Sequence, residues 1–62
     1  MKSRDVIKLI EADGWLHVRT RGSHHHFKHP QKSGIVTVPH PKKDLTLKTI
    51  LSIEAQSGVK LR

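Results

Sequence analysis

The chain has 62 residues and no cysteine, and its 12 lysines and arginines against five aspartates and glutamates give a formal charge of +7. So short a chain predicts one domain over residues 1–62, with a small core and no large internal cavity. The lack of cysteine excludes disulfides and thiolate metal sites, and no apolar run reaches the ~18 residues of a membrane span. We therefore expect a cytoplasmic protein without a membrane partner.

The charge is unevenly distributed along the chain. No acidic residue stands between Asp13 and Asp44, whereas this interval contains every histidine and many of the cations. The cations in the interval are Arg19, Arg21, Lys28, Lys32, Lys42 and Lys43. A basic surface of this kind favours polyanionic partners, nucleic acid first.

The first element is predicted to be an amphipathic helix over residues 3–13. Ser3 is a suitable N-cap and Gly14 a suitable C-terminal stop. Its apolar positions recur at helical spacing and are Val6, Ile7, Leu9 and Ile10. Residues 15–20 then alternate as in a strand, in which Trp15 should pack beneath the helix.

Two further strands are predicted over residues 24–29 and 35–38, separated by tight turns, which together with the first strand imply an antiparallel meander. A second helix follows, capped by Asp44 or Thr46 and ended by Gly58, with the last residues frayed. Its apolar stripe would consist of Leu47, Ile50, Leu51 and Ile53. The order helix-strand-strand-strand-helix predicts an α+β domain with both helices on one face of the sheet.

The most unusual segment is residues 22–30, which contains four histidines. Strand alternation assigns His24, His26 and Lys28 to one face, and His25, Phe27 and His29 to the other. Cleavage of RNA without a metal needs a base, an acid and cations that stabilise the charge developing on the phosphate. Histidine titrates near neutral pH, so His24, directly after a flexible Gly-Ser, is the candidate proton carrier.

Cations close to His24 are candidates for binding the scissile phosphate. Lys28 is expected on the same strand face, and Arg19 or Arg21 can approach from the neighbouring strand. Lys42 and Lys43 add positive charge before the second helix. The second proton carrier is left open between water and His26.

The same residues allow three other interpretations. His24, His26 and His40 offer a three-nitrogen metal site, but the interval has no carboxylate to ligate or orient them and its positive charge opposes a cation. Ser23 beside His24 is a poor nucleophile pair because adjacent strand residues face opposite ways. We therefore predict no metal and no cofactor. A non-catalytic RNA-binding module that uses the basic face is the alternative function.

Four motifs, in their order and spacing, resemble the HicA family, the toxins of HicA/HicB toxin-antitoxin modules. They are Asp13-Gly14-Trp15, Gly22-Ser23-His24, Phe27-Lys28-His29-Pro30 and Val36-Thr37-Val38-Pro39-His40-Pro41. The resemblance extends from Ser3 to Gly58. The chain departs from the family pattern after Leu45, where Thr46 and Leu47 stand in place of the common proline and glycine.

The resemblance implies a fold similar to a double-stranded-RNA-binding domain. It implies a ribosome-independent mRNA interferase that inhibits translation and is neutralised by a HicB antitoxin. The family's catalytic histidine lies in Gly-Ser-His, which corresponds to His24. A HicB partner rich in acidic residues would be attracted to the basic surface. Its predicted contacts are Gly22, Ser23, His24, His26 and Lys28.

Overall fold

The computed structural model describes residues 1–62 as two helices and three strands. In chain order these are α1 (Ser3–Ala12), β1 (Leu16–Arg21), β2 (His24–Lys28), β3 (Val36–Pro39) and α2 (Leu47–Ser57). The strands form one antiparallel sheet in the order β1-β2-β3. The predicted α+β class and element order are confirmed.

The N-cap of helix α1 lies one residue before the predicted position. Lys2 is the N-cap and provides no side-chain cap, so the assignment of this role to Ser3 is wrong. The Ser3 hydroxyl instead accepts a hydrogen bond from the Lys42 amide at 2.9 Å. The Ser3 side chain therefore binds the loop that follows β3 and does not cap the helix.

The C-terminus of α1 follows the prediction. Gly14 has φ of 107°, and its amide bonds to the Glu11 carbonyl at 3.0 Å. The Trp15 amide bonds to the Ile10 carbonyl at 3.1 Å, which completes a Schellman arrangement. Because the Trp15 amide serves the helix end, β1 starts at Leu16 instead of residue 15.

Helix α2 is capped by Thr46, whose hydroxyl accepts a hydrogen bond from the Thr49 amide at 3.2 Å, and it ends at Gly58. Asp44, the other candidate cap, lies beside the terminal ammonium at 2.9 Å. The predicted apolar stripe is only half correct. Ile50 and Ile53 are buried, whereas Leu47 and Leu51 are 58% and 42% exposed because they face away from the sheet.

One hydrophobic core joins α1, β2, β3 and α2, whereas every residue of β1 is exposed. It consists of Val6, Ile10, Trp15, Phe27, Val36, Val38, Leu45, Ile50, Ile53 and Leu61. Phe27, Val36 and Val38 share one face of the sheet, and both helices contact β3 on that side. The expected fraying is wrong at Leu61, which is buried and whose amide bonds to Glu54. The other sheet face, which we call the open face, has no helix packed over it.

Candidate active site

The six histidine rings differ in their partners. Five are hydrogen-bonded within the protein: His17 and His25 to Thr20, His26 to Thr37, His29 to Asp13, and His40 to Ser3. His24 has no hydrogen-bonding partner and is exposed. Its two ring nitrogens are therefore available to exchange protons with a bound molecule.

His24 lines an open groove of about 280 Å³ between the sheet and α2, which we call the His24 groove. Thr37 and Pro39 complete its sheet wall, and its helix wall consists of Lys48, Thr49, Ser52, Ile53 and Gln56. The Gln56 side-chain oxygen accepts a hydrogen bond from the Thr37 amide at 3.3 Å, which fastens α2 to the free edge of β3. A phosphate in this groove would meet an imidazole from one wall and the Lys48 ammonium from the other.

The backbone of His24 is fixed by the hairpin that precedes it. Gly22 has φ of 59° and no other residue of the turn has a positive φ, which fits a two-residue type II′ turn. His24 is consequently the first residue of β2, paired with Arg21 on one side and Pro39 on the other. The Ser23 carbonyl also accepts a hydrogen bond from the His40 amide at 2.7 Å. The ring of His24 has no hydrogen-bonding partner, but its backbone is held by strand pairing on both sides.

A β-bulge in β1 decides which side chains face His24. The pairing runs from His17 opposite Phe27 to Arg19 opposite His26, so Val18 is an extra residue without a partner. Strict alternation would turn Arg19 and Arg21 toward the helices. The bulge shifts both arginines to the open face, where Arg21 lies opposite His24.

Comparison with known proteins identifies the family of the chain. The family model described as "HicA toxin of bacterial toxin-antitoxin" matches residues 3–59. The chain belongs to the HicA toxin family. Among solved structures, the "HicA3 and HicB3 toxin-antitoxin complex" is similar over 100% of both chains, with 30% identity and a TM-score of 0.77. No curated protein matches.

Membership of this family identifies a toxin of a toxin-antitoxin system, and HicA toxins are known in general terms as ribonucleases. The predicted resemblance and fold are therefore confirmed, including the likeness to a double-stranded-RNA-binding domain. None of the helices is long and apolar enough to cross a membrane.

In this HicA toxin the open face continues along β2 from His24 to His26 and Lys28. The His26 Nδ1 lies 3.0 Å from the Thr37 hydroxyl, and the ring is half-buried. Lys28 is four residues from His24, or about 13 Å along an extended strand. It lines a separate depression with Val18, Arg19, His26 and Ile35. His24 and Lys28 thus share a face without sharing a groove.

Two predicted phosphate-binding lysines of the HicA toxin lie outside the His24 groove, and one lysine that was not predicted lies inside it. Lys42 and Lys43 line a cleft beside the start of α1, outside the His24 groove. Lys48, which sequence reasoning missed, lies inside the groove. No pattern in the sequence indicates this role for Lys48, because it depends on how α2 docks along the edge of β3.

The helix-side face of the sheet carries a row of imidazoles formed by His17, His25 and His40. The His25 ring centroid lies 5.2 Å from that of His17 and 5.0 Å from that of His40. Burial lowers the pKa of His25, and the neighbouring charges of His40, His17 and His26 lower it further. His40 is therefore on the face opposite His24 and His26, and the three-nitrogen metal site considered for these residues does not form.

His29 fastens the β2–β3 connection to the end of α1. Its Nδ1 accepts hydrogen bonds from the amides of Gln31 and Lys32, at 3.0 and 3.2 Å. Its Nε2 must then carry the proton, which it donates to the Asp13 carbonyl at 2.7 Å. The side chain is 7% exposed. His29 is accordingly a structural histidine.

Proposed function

We propose that this HicA toxin is a ribosome-independent mRNA endoribonuclease that inhibits translation by metal-independent acid-base cleavage. The 2′-oxygen of the RNA attacks the adjacent phosphorus as a base removes its proton. The bond from phosphorus to the 5′-oxygen breaks as an acid protonates that oxygen. The products are a 2′,3′-cyclic phosphate and a 5′-hydroxyl. His24 acts as one of the two proton carriers.

The observation that carries this proposal is the free ring of His24 among five hydrogen-bonded histidines. A general acid or base must present a nitrogen to the substrate, and only this ring has both unengaged. It also lines an open groove with an ammonium in the opposite wall, that of Lys48. A scissile phosphate that enters this groove would therefore lie between a proton carrier and a cation.

Charge stabilisation is assigned to Arg21 and Lys48 at His24, with Arg19 and Lys28 binding phosphates further along the open face. A cation is most effective where negative charge grows in the transition state, which here is on the non-bridging phosphate oxygens. Arg21 is the register partner of His24. Arg19 is the register partner of His26.

His26 is the candidate for the second proton carrier. It lies two residues from His24 on the same strand face, about 7 Å along the strand. Its Nδ1 is engaged by Thr37, so Nε2 is the nitrogen that can reach a substrate. A water molecule held in the groove is the other source of the second proton.

A HicB-type antitoxin is proposed to inhibit by covering residues 22–28, with contacts to Gly22, Ser23, His24, His26 and Lys28. The similar HicA3 chain was solved in a complex with HicB3. The formal charge of +7 would attract an acidic partner to this face. Hydrogen exchange should slow over residues 22–28 when the antitoxin binds. A complex that leaves His24 open to solvent would contradict this mode of inhibition.

The test of catalysis is His24→Ala beside His17→Ala, a control that removes an exposed histidine from the opposite face. Each variant is induced in growing cells and assayed on purified RNA with a chelator present. We expect the wild type and the control to arrest growth and release cyclic-phosphate ends, and folded His24→Ala to do neither. RNA binding without cleavage by all three proteins would indicate the non-catalytic module instead. Activity lost with chelator and restored by zinc would indicate a metal enzyme.

A further inference from the structure

A second cleft, distinct from the His24 groove, lies between the start of α1 and the loop that follows β3. We call it the basic cleft, and it has a volume of about 670 Å³. It is lined by Lys2, Ser3, Arg4, His40, Pro41, Lys42 and Lys43. Four of these seven side chains are cations from two separate segments of the chain.

The positive charge of the basic cleft is not neutralised within the protein. The ion pairs of the chain join Asp13 to Lys32 and His29, Glu54 to Arg62, and Asp44 to the terminal ammonium. None involves Lys2, Arg4, Lys42 or Lys43. Holding four such cations around one cavity costs free energy through mutual repulsion, which a bound anion would relieve.

The cleft is built by hydrogen bonds and is not a chance grouping of surface lysines. The Ser3 amide donates to the Lys42 carbonyl at 2.9 Å, and the Lys42 amide donates to the Ser3 hydroxyl at 2.9 Å. The same hydroxyl lies 2.7 Å from His40 Nδ1, and Ser3 is 1% exposed. These three contacts hold the loop against the start of α1 and fix the backbones of the two segments that carry the cations relative to one another.

The basic cleft is also tied to the candidate active site. Pro39 pairs with His24 across the sheet, and the next residue, His40, donates its amide to the Ser23 carbonyl. Lys42 follows Pro39 by three residues, which span at most about 10 Å. A nucleic-acid strand leaving the His24 groove at this end of the sheet would therefore meet the cleft within a few nucleotides.

We propose that the basic cleft binds a phosphate of the same single-stranded RNA whose backbone is cut at His24, a few nucleotides from the scissile bond. This inference rests on the proposed ribonuclease function. Phosphate oxygens need only cations and N–H donors, which the cleft supplies. A protein partner would need apolar anchors, and the cleft offers none beyond the ring of Pro41.

The test compares Arg4→Gln/Lys42→Gln with Lys8→Gln/Lys60→Gln, which removes the same two charges from exposed positions outside the cleft. Both pairs are made in the His24→Ala background, and binding of a fluorescein-labelled single-stranded RNA is followed by anisotropy at several salt concentrations. Each phosphate contact contributes about 0.7 to the slope of log affinity against log salt. We expect the cleft variant, which loses its one bound phosphate, to lower that slope by about 0.7 and the control by clearly less.

Cleavage by the same pairs with His24 intact gives a second measurement. The cleft variant should raise KM for a long RNA far more than for a dinucleotide, which cannot reach the cleft from His24. Equal effects of the two pairs, or equal effects on both substrates, would overturn the inference while leaving cleavage at His24 intact. Unchanged RNA affinity with weakened antitoxin binding would assign the cleft to the antitoxin and would also overturn it.

A different result would overturn the proposed ribonuclease function alone: a wild type that binds RNA through the cleft but never cleaves it. A wild type that binds no RNA overturns both. Thermal melting of each variant establishes that the comparison is between folded proteins.

Discussion

Arg21 lies directly opposite His24 in the β1–β2 ladder, on the open face of the sheet. With Val18 in the strand, this pairing requires Val18 to be an extra, unpaired residue, because unbroken alternation from Leu16 would point Arg21 toward the helices. The arginine nearest the candidate catalytic histidine is thus placed by an irregularity three residues away from it. Bulges are known to re-aim side chains in this manner near functional sites.

Deletion of Val18 should be tolerated. Without it, His17 and Arg19 become neighbours in an unbroken ladder, and Arg19, Thr20 and Arg21 keep the faces they have now. Deletion of Thr20 is the matched control. It shortens a regular part of the strand by one residue, so the side chains on one side of the deletion must turn to the other face of the sheet. We expect the Val18 deletion to keep most of its RNA cleavage and the Thr20 deletion to lose it. Comparable losses in both would show that the bulge has another role.

Removal of the Arg21 charge should slow the chemical step. A cation that meets charge developing in the transition state contributes about 10²–10³ to kcat, so Arg21→Gln should reduce kcat by a factor in this range. Arg21→Lys should recover part of the loss because it restores the charge without the planar fork. Lys8→Gln on α1 controls for net charge. Single-turnover cleavage of a defined RNA would measure the effect, and a change confined to KM would reassign Arg21 to substrate binding.

Much of the fold follows from local signals in the sequence. The predicted stop of α1 at Gly14, the Thr46 cap and the turn at Gly22 are each set by residues within a few positions of one another, and each is found. The prediction failed where distant segments compete for a side chain. Ser3 has the chemistry of an N-cap, but the Lys42 amide, 39 positions away, engages its hydroxyl instead.

In the candidate site, too, the features set by local sequence were predicted and those set by contacts between distant segments were not. Strand alternation correctly separated His24 from His25, because the period of two is a property of the strand alone. It did not reveal that Lys48 lies in the groove of His24, or that Lys28 lines a separate depression. Those depend on the docking of α2 against β3 and on the end of the strand at which each groove opens. The bulge at Val18 has no signal in the sequence either, since valine suits any regular strand.

Substitution of Gly14 should destabilise the fold more than substitution of Gly34. Both have positive φ, at 107° and 87°, so alanine is strained at either by about 1–3 kcal/mol. A methyl group at Gly14 would also lie 2.7 Å from His29 Nε2, whereas at Gly34 it would meet open space. Gly14→Ala must therefore displace His29 from the Asp13 carbonyl. Denaturant unfolding should give a larger loss for Gly14→Ala, and equal losses would mean that His29 adjusts freely.

The stability of the fold should fall as the pH is lowered through the histidine range, and His25 should be a main cause. Its pKa is lowered by burial and by the charges of His40 and His17, so the folded chain takes up this proton at lower pH than the unfolded chain. Between the ordinary value of about 6.5 and the lowered value the unfolded state binds more protons, and the free energy of unfolding decreases as pH falls. Urea unfolding across this range should show that decline in the wild type and in His24→Gln, a control on the opposite face. His25→Gln should flatten it, and an unchanged decline in that variant would assign the effect to other histidines.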